Sequence, residues 1–273
     1  VRFAAKLNFN INNKTLELMK SLKNELKTLL PERVFEELKK ILLTNNSSVA
    51  FEYLAKTNLL EVHFKELKQL INIPQVKKYH PEGDVFKHTM LVLDEITKYT
   101  KEFKNDKKVL LRYAALMHDI GKGLTESSKL PHHYKHNKLG INILEEIKKD
   151  NNYTIPKKWF KVTKLIIKQH MRVIYWQKMK PGKVVRLFNY IKNSPLTVKD
   201  FMLIIKADKK GRGTNRKFEN KYYRFIDLYR KMYEETGGEN INSEKYQGKK
   251  FGEMLFQYRC RWIKQERKNY GRW

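Results

Sequence analysis

The sequence holds one cysteine, Cys260, in 273 residues. A lone thiol closes no disulfide, so no cross-linked framework supports the fold and a reducing compartment is expected. Glycine (12) and proline (7) are scarce while charged residues are many, a balance that suits a helical protein. No apolar run is long enough to span a bilayer, and no signal-peptide pattern opens the chain. These absences set the expectation of a cytoplasmic chain with no membrane contact. Acidic residues are the other shortage: 29 Asp plus Glu face 58 Lys plus Arg, a formal net charge of +29. That excess points to a polyanionic partner, most simply RNA. A lysine-biased composition is the bland alternative, and the many Asn and Ile residues favour it. The first residue is Val1 rather than Met, as expected of a processed, truncated or partial chain.

What is present is organised around Ala114–Gly123. Leu110, Tyr113, Ala114 and Met117 recur at helical spacing, which predicts a core helix from Lys107 to Ile120 ended by Gly121. His118 follows Ala114 by four residues and falls near the same inward face. Asp119 puts a carboxylate beside it, and a buried carboxylate needs compensation, which a divalent cation supplies well. Taken alone, the pair reads first as a capped helix end with a satisfied histidine. The other histidines shift that reading. Six of the eight lie between His80 and His136. His88, the pair His118-Asp119, the cluster His132, His133 and His136, then His170 and Asp208 each sit on or beside a separate predicted helix. Helical bundles build metal sites by projecting such ligands inward. His136 opens a helix toward Ile143 and Ile147, and is favoured over His132 and His133 as an inward ligand.

Four ligands, His88, His118, Asp119 and Asp208, would hold one divalent metal with open positions. Adding His136 and His170 gives enough for two. Imidazoles and carboxylates suit Ni, Mn, Zn, Fe or Mg without selecting among them. Lys122 and Arg212 stand close to Asp119 and Asp208 in the sequence and are candidates to neutralise phosphate oxygens. A plain surface charge is the competing reading of both.

The motifs also carry a resemblance. His80-Pro81-Glu82-Gly83-Asp84 with His88, then His118-Asp119-Ile120-Gly121-Lys122-Gly123-Leu124-Thr125, then Leu130-Pro131-His132-His133 with His136, then Ala207-Asp208 with Gly211-Arg212 resemble the C-terminal region of HD-containing bacterial tRNA nucleotidyltransferases. Arg2–Leu7 and Pro31–Val34 are similar to that family's neck. The order His…His-Asp…Asp is that of the wider HD superfamily of metal-dependent phosphohydrolases. The resemblance implies phosphatase, nucleotidase or 2′,3′-cyclic phosphodiesterase chemistry at Asp119, Lys122 and Arg212. It implies tRNA, RNA 3′ ends and nucleotides as partners. It also implies an alternative, the tRNA-binding HD portion of a longer or split enzyme that adds CCA to tRNA. The transferase head of that family uses an Asp-x-Asp pair, which this sequence lacks. This chain alone is therefore expected not to incorporate CTP or ATP.

The expected architecture is all-α: a multi-helix HD-type bundle at 80–212, a helical RNA-binding neck and body at 1–79, and a helical tRNA-binding extension at 213–273. Helices are read at Glu32–Leu43 behind Pro31, from a Ser47 or Ser48 cap through Leu54, and from Leu59 to Ile71. Asp84 is read as the cap of the His88 helix, Pro156 as the opener of the helix reaching His170, and Thr197 with Asp200 as a capping box. An aromatic helix is read at Phe218–Tyr233 after Gly213-Thr214-Asn215. Tyr222, Tyr223 and Tyr229 on it are read more as core than as base-stacking rings. Phe251 to about Lys264 is the last expected helix, followed by a frayed basic end.

Overall fold

The computed structural model describes residues 1–150, 155–212 and 220–269. Among them are fifteen α-helices, four short 3-10 segments and no strand, so the protein is all-α. The helices are Arg2–Leu7 (α1), Asn13–Ser21 (α2), Lys23–Leu26 (α3), Pro31–Leu42 (α4), Ser47–Lys56 (α5), Leu60–His63 (α6), Lys65–Lys68 (α7) and Val85–Tyr99 (α8). After them come Asn105–Leu116 (α9), His136–Lys149 (α10), Lys157–Ile174 (α11), Pro181–Lys192 (α12), Val198–Lys210 (α13), Asn220–Glu235 (α14) and Gly248–Asn269 (α15). The chain forms two compact units. One comprises the described residues of Val1–Lys168 and Leu203–Lys217, the other those of Gln169–Met202 and Phe218–Trp273.

In the first unit, Pro31 stands at the start of α4, where its missing N–H costs nothing. Glu32 in the first turn and Lys39 and Lys40 in the last complement the helix dipole. Asp84 caps α8 as expected, accepting from the Lys87 amide at 2.7 Å. Two local expectations differ. Ser47 and Ser48 lie inside α5, whose N-cap is Asn46, and the Ser47 hydroxyl donates to the Ile41 and Thr44 carbonyls at 3.1 Å instead. The segment read as one helix from Leu59 breaks at Phe64, whose backbone (φ −137°, ψ 46°) leaves the helical region between α6 and α7.

α9 is the central element of this unit, buried at every residue from Val109 to Leu116. One of these is an arginine. Arg112 is 1% exposed and has four neutral oxygen acceptors. Its Nη1 donates to the carbonyls of Leu42 (2.6 Å) and Thr44 (2.9 Å) at the end of α4. Its Nε donates to Thr100 Oγ1 (2.9 Å) and its Nη2 to the Thr97 carbonyl (3.2 Å) at the end of α8. Helix C-termini carry orphan carbonyls and partial negative charge, so two of them can compensate one guanidinium. Burial still lowers its pKa to about 10.

The second unit packs aromatic rings. Phe188 of α12 meets Phe225 and Tyr229 of α14 edge-on at 5.1 and 5.2 Å, and Phe225 meets Trp176 at 5.8 Å. Tyr222 is 1% exposed and belongs to this core, whereas Tyr223 is exposed. Thr197 and Asp200 do form a capping box: each side chain accepts from the other's backbone amide, at 3.1 and 3.2 Å. The end expected to fray at Lys264 continues as helix to Asn269, because Arg267 donates to the Trp176 and Met179 carbonyls at 2.6 Å. Gly213-Thr214-Asn215, Phe218 and the last four residues lie outside the described residues.

Arg112→Ala removes the guanidinium that ties the ends of α4 and α8 to α9 and takes the donor from the buried Leu42 and Thr44 carbonyls. We expect a loss on the order of 3 kcal/mol or more in urea unfolding, with Arg112→Lys losing less. A wild-type midpoint for Arg112→Ala would show the clamp to be dispensable.

Candidate metal centre

His88 sits one turn into α8 and is completely buried. Its Nδ1 lies 2.8 Å from Glu82 Oε1, and its Nε2 lies 3.3 Å from Asp208 Oδ1 near the end of α13. Glu82 reaches His88 because the chain turns at Gly83, whose φ of +124° is open essentially to glycine alone. The same Glu82 oxygen takes the Nδ1 of His80, also at 2.8 Å, and the two imidazoles meet edge to face at 4.9 Å.

His118 and Asp119 are buried but stand beyond the helix rather than on it. α9 ends at Leu116, four residues earlier than read from periodicity, and Gly121 does not cap it. The chain continues through His118 and Asp119 into the 3-10 segment Ile120–Leu124. Gly121 has a different task. A Cβ there would overlap the carbonyl of His136 and the amide nitrogen of Gly140. The 3-10 segment thus lies backbone to backbone on the first turn of α10 and brings Asp119 to His136. Asp119 Oδ2 is 3.1 Å from His118 Nε2 and 2.6 Å from Lys122 Nζ, and its Oδ1 is 3.4 Å from His136 Nε2.

The three imidazoles share one arrangement. His118 Nδ1 donates to the Ala115 carbonyl at 2.6 Å and His136 Nδ1 to the His133 carbonyl at 2.8 Å, while His88 Nδ1 faces Glu82. A carbonyl only accepts, so Nδ1 carries a proton in His118 and His136, and each Nε2 is turned to the Asp119 carboxylate. That outer bond is how proteins orient metal-binding histidines. The facing atoms of His88, His118 and Asp119 lie within 4.8 Å of one another.

Lys122 and Arg212 are buried, not surface charges. Lys122 Nζ also donates to Gln75 Oε1 at 2.8 Å. Burial opposes ionisation of Glu82, but hydrogen bonds from His80 and His88 outweigh it and hold its pKa at about 2. Burial likewise opposes ionisation of Asp208, yet His88 and the charges of Arg212 and Lys209 keep its carboxyl well below the usual range. Three buried carboxylates, Glu82, Asp119 and Asp208, therefore face two buried cations. Asp208 Oδ2 is buried without a hydrogen-bond partner. The donor set, imidazole and carboxylate, fits a divalent transition ion and could hold one.

Of the loop histidines, His133 bridges Thr125 Oγ1 (2.8 Å) and the Pro74 carbonyl (3.0 Å), and His132 points to solvent. His170 is buried on α11, in the part of that helix belonging to the second unit. The sequence offers Glu82 no role beyond its place in the His80–Asp84 motif, and does not single out Gln75. A signal for Glu82 existed, since it is the carboxylate between His80 and His88. Gln75 had none, being 47 residues from Lys122.

Glu82→Gln should keep the shape but weaken the acceptor that orients His88. We expect divalent-metal affinity to fall about 10–100-fold, the usual cost of losing such an outer partner. Calorimetric titration with Mn²⁺ measures this, and an unchanged affinity would remove Glu82 from the centre.

Comparison with known proteins agrees with this geometry. Residues 8–71 match the family described as "Probable RNA and SrmB- binding site of polymerase A", and residues 85–203 match the HD domain. A multifunctional CCA protein of Mannheimia succiniciproducens is 35% identical over 85% of this chain and 56% of its own length. Those of Haemophilus influenzae and Actinobacillus pleuropneumoniae are each 33% identical, over 98% and 96% of this chain and 66% and 65% of their own lengths. The chain thus spans between 56% and 66% of the length of these relatives. With both segments matched in order and the candidate HD ligands gathered in one place, the chain is similar to the HD-containing part of multifunctional CCA proteins.

Proposed function

We propose that this chain is the tRNA-binding HD portion of a CCA-adding enzyme. The observation that carries the reading is the succession, in one strongly basic chain, of an RNA-binding family match at 8–71 and an HD match at 85–203. Relatives named multifunctional CCA protein support it along nearly the whole chain. In this reading residues 1–79 and 213–273 bind tRNA and residues 80–212 form the HD bundle.

A second reading concerns the HD centre itself, and the convergence of His88, His118, Asp119 and Asp208 favours it. We infer a metal-dependent phosphohydrolase acting on 2′,3′-cyclic nucleotides, nucleotides or small phosphomonoesters. A divalent ion held by those four residues would supply Lewis-acid polarisation of a phosphoryl oxygen and acidify a water. Glu82 and the Ala115 carbonyl fix the two imidazoles. Asp119 is held between His118 and His136. Lys122, anchored by Asp119 and Gln75, and Arg212 beside Asp208 would offer positive charge to the phosphate.

The readings separate experimentally. tRNA affinity of the full chain should fall steeply between about 50 and 200 mM salt, as phosphate contacts release counterions. Flat or absent binding would leave lysine bias as the account of the +29 charge. Asp119→Ala should keep tRNA binding and lose both metal binding and hydrolysis of 2′,3′-cyclic AMP. Full hydrolysis by that variant in chelator would overturn the hydrolytic reading alone.

A further inference from the structure

The loop between the 3-10 segments and α10 carries two rings that neither the metal ligands nor the core employ. His132 and Tyr134 are exposed, Tyr134 at 70%. Their rings stack on each other, 5.8 Å between centroids and 22° from parallel. The residue between them points the other way: His133 is fastened to Thr125 and to the Pro74 carbonyl. Lys135 follows in the left-handed conformation (φ 61°), and then comes His136, its Nε2 3.4 Å from Asp119. Two peptide units separate Tyr134 from His136, a reach of at most about 7 Å between Cα atoms. The stacked pair is therefore carried within four residues of His136, on a loop pinned by His133.

An exposed pair of rings adds little to stability, yet here it is already ordered. Parallel, preformed π faces suit a nucleobase, because stacking needs a flat partner and gains when the platform is ordered beforehand. They offer little to a sugar phosphate without a base. We propose that Tyr134, stacked on His132, is the base-recognition element of the HD centre: the phosphoester goes to the buried ligands and its nucleobase lies on the Tyr134 ring. The proposal rests on the hydrolytic reading above and names the residues that set its specificity. A free nucleotide and an RNA 3′ end present the same chemistry to this platform.

The test uses the full chain with Mn²⁺ and three substrates: 2′,3′-cyclic AMP, a short RNA ending in a 2′,3′-cyclic phosphate, and ribose 2′,3′-cyclic phosphate, which has no base. Tyr134→Ala should raise KM about tenfold for a base-bearing substrate, as expected from losing one stacked base. It should leave kcat and the base-free reaction unchanged, and Tyr134→Phe should restore KM. A KM effect confined to the RNA or to the mononucleotide identifies which source the platform serves. If Tyr134→Ala changes all three substrates alike, or none, the proposal is overturned. Calorimetric titration with AMP covers the case in which wild type hydrolyses nothing. AMP binding that is lost in Tyr134→Ala and absent for ribose 5-phosphate would keep the platform while ending the hydrolytic reading. AMP binding indifferent to Tyr134 would end the platform.

Discussion

Keeping ionised carboxylates out of water is the constraint that shapes the first unit. Asp119 and Asp208 are 2% and 4% exposed, and Glu82 is 8% exposed. An isolated buried carboxylate is too costly to persist, so each must be surrounded by donors. The surroundings are drawn from distant parts of the chain: Gln75 holds Lys122 on Asp119, the turn at Gly83 brings Glu82 to His88, and α13 brings Asp208 to the same ring. The close approach at Gly121 exists for the same reason, since it puts the first turn of α10 beside Asp119. The bundle is arranged so that polar groups as far apart in the sequence as His88 and Asp208 meet.

Much of this was legible in the sequence, and the failures have physical causes. Periodicity found α9 and α15 but not α12, and the Asp84 and Thr197–Asp200 caps are readable because a cap is a contact within three or four residues. The end of α9 was misplaced because apolar spacing persists through Met117 and His118, which are buried for tertiary reasons after the helix has stopped. Ser47 was misassigned because a hydroxyl near a helix start can also turn back to the preceding helix. Arg112 was invisible. Nothing in its neighbours marks an arginine inside a core helix as a donor to carbonyls about 70 residues away.

The charge excess gains meaning from where the acids are spent. Glu17, Glu36, Glu37, Glu95 and Glu126 each meet a lysine three residues on. Such exposed pairs add little stability. Their effect is to cancel acid against a nearby base, while Glu82, Asp119 and Asp208 are withdrawn into the centre. The lysines left over meet solvent with few acids to oppose them, which is the surface a polyanion requires.

The Arg112 clamp bears on how this protein can change over evolutionary time. On the α4 side it reads only backbone, through the carbonyls of Leu42 and Thr44. Side chains there are free to drift as long as the helix ends in the same place, whereas the arginine has no substitute offering as many donors in a fixed plane. The clamp also lies across the seam between the two family matches, residues 8–71 on one side and 85–203 on the other. Segments that look like interchangeable modules in the sequence are therefore not separable ones. Recombination at the seam would have to bring together a helix terminus and a guanidinium selected in different lineages. The two are bound to descend as a pair.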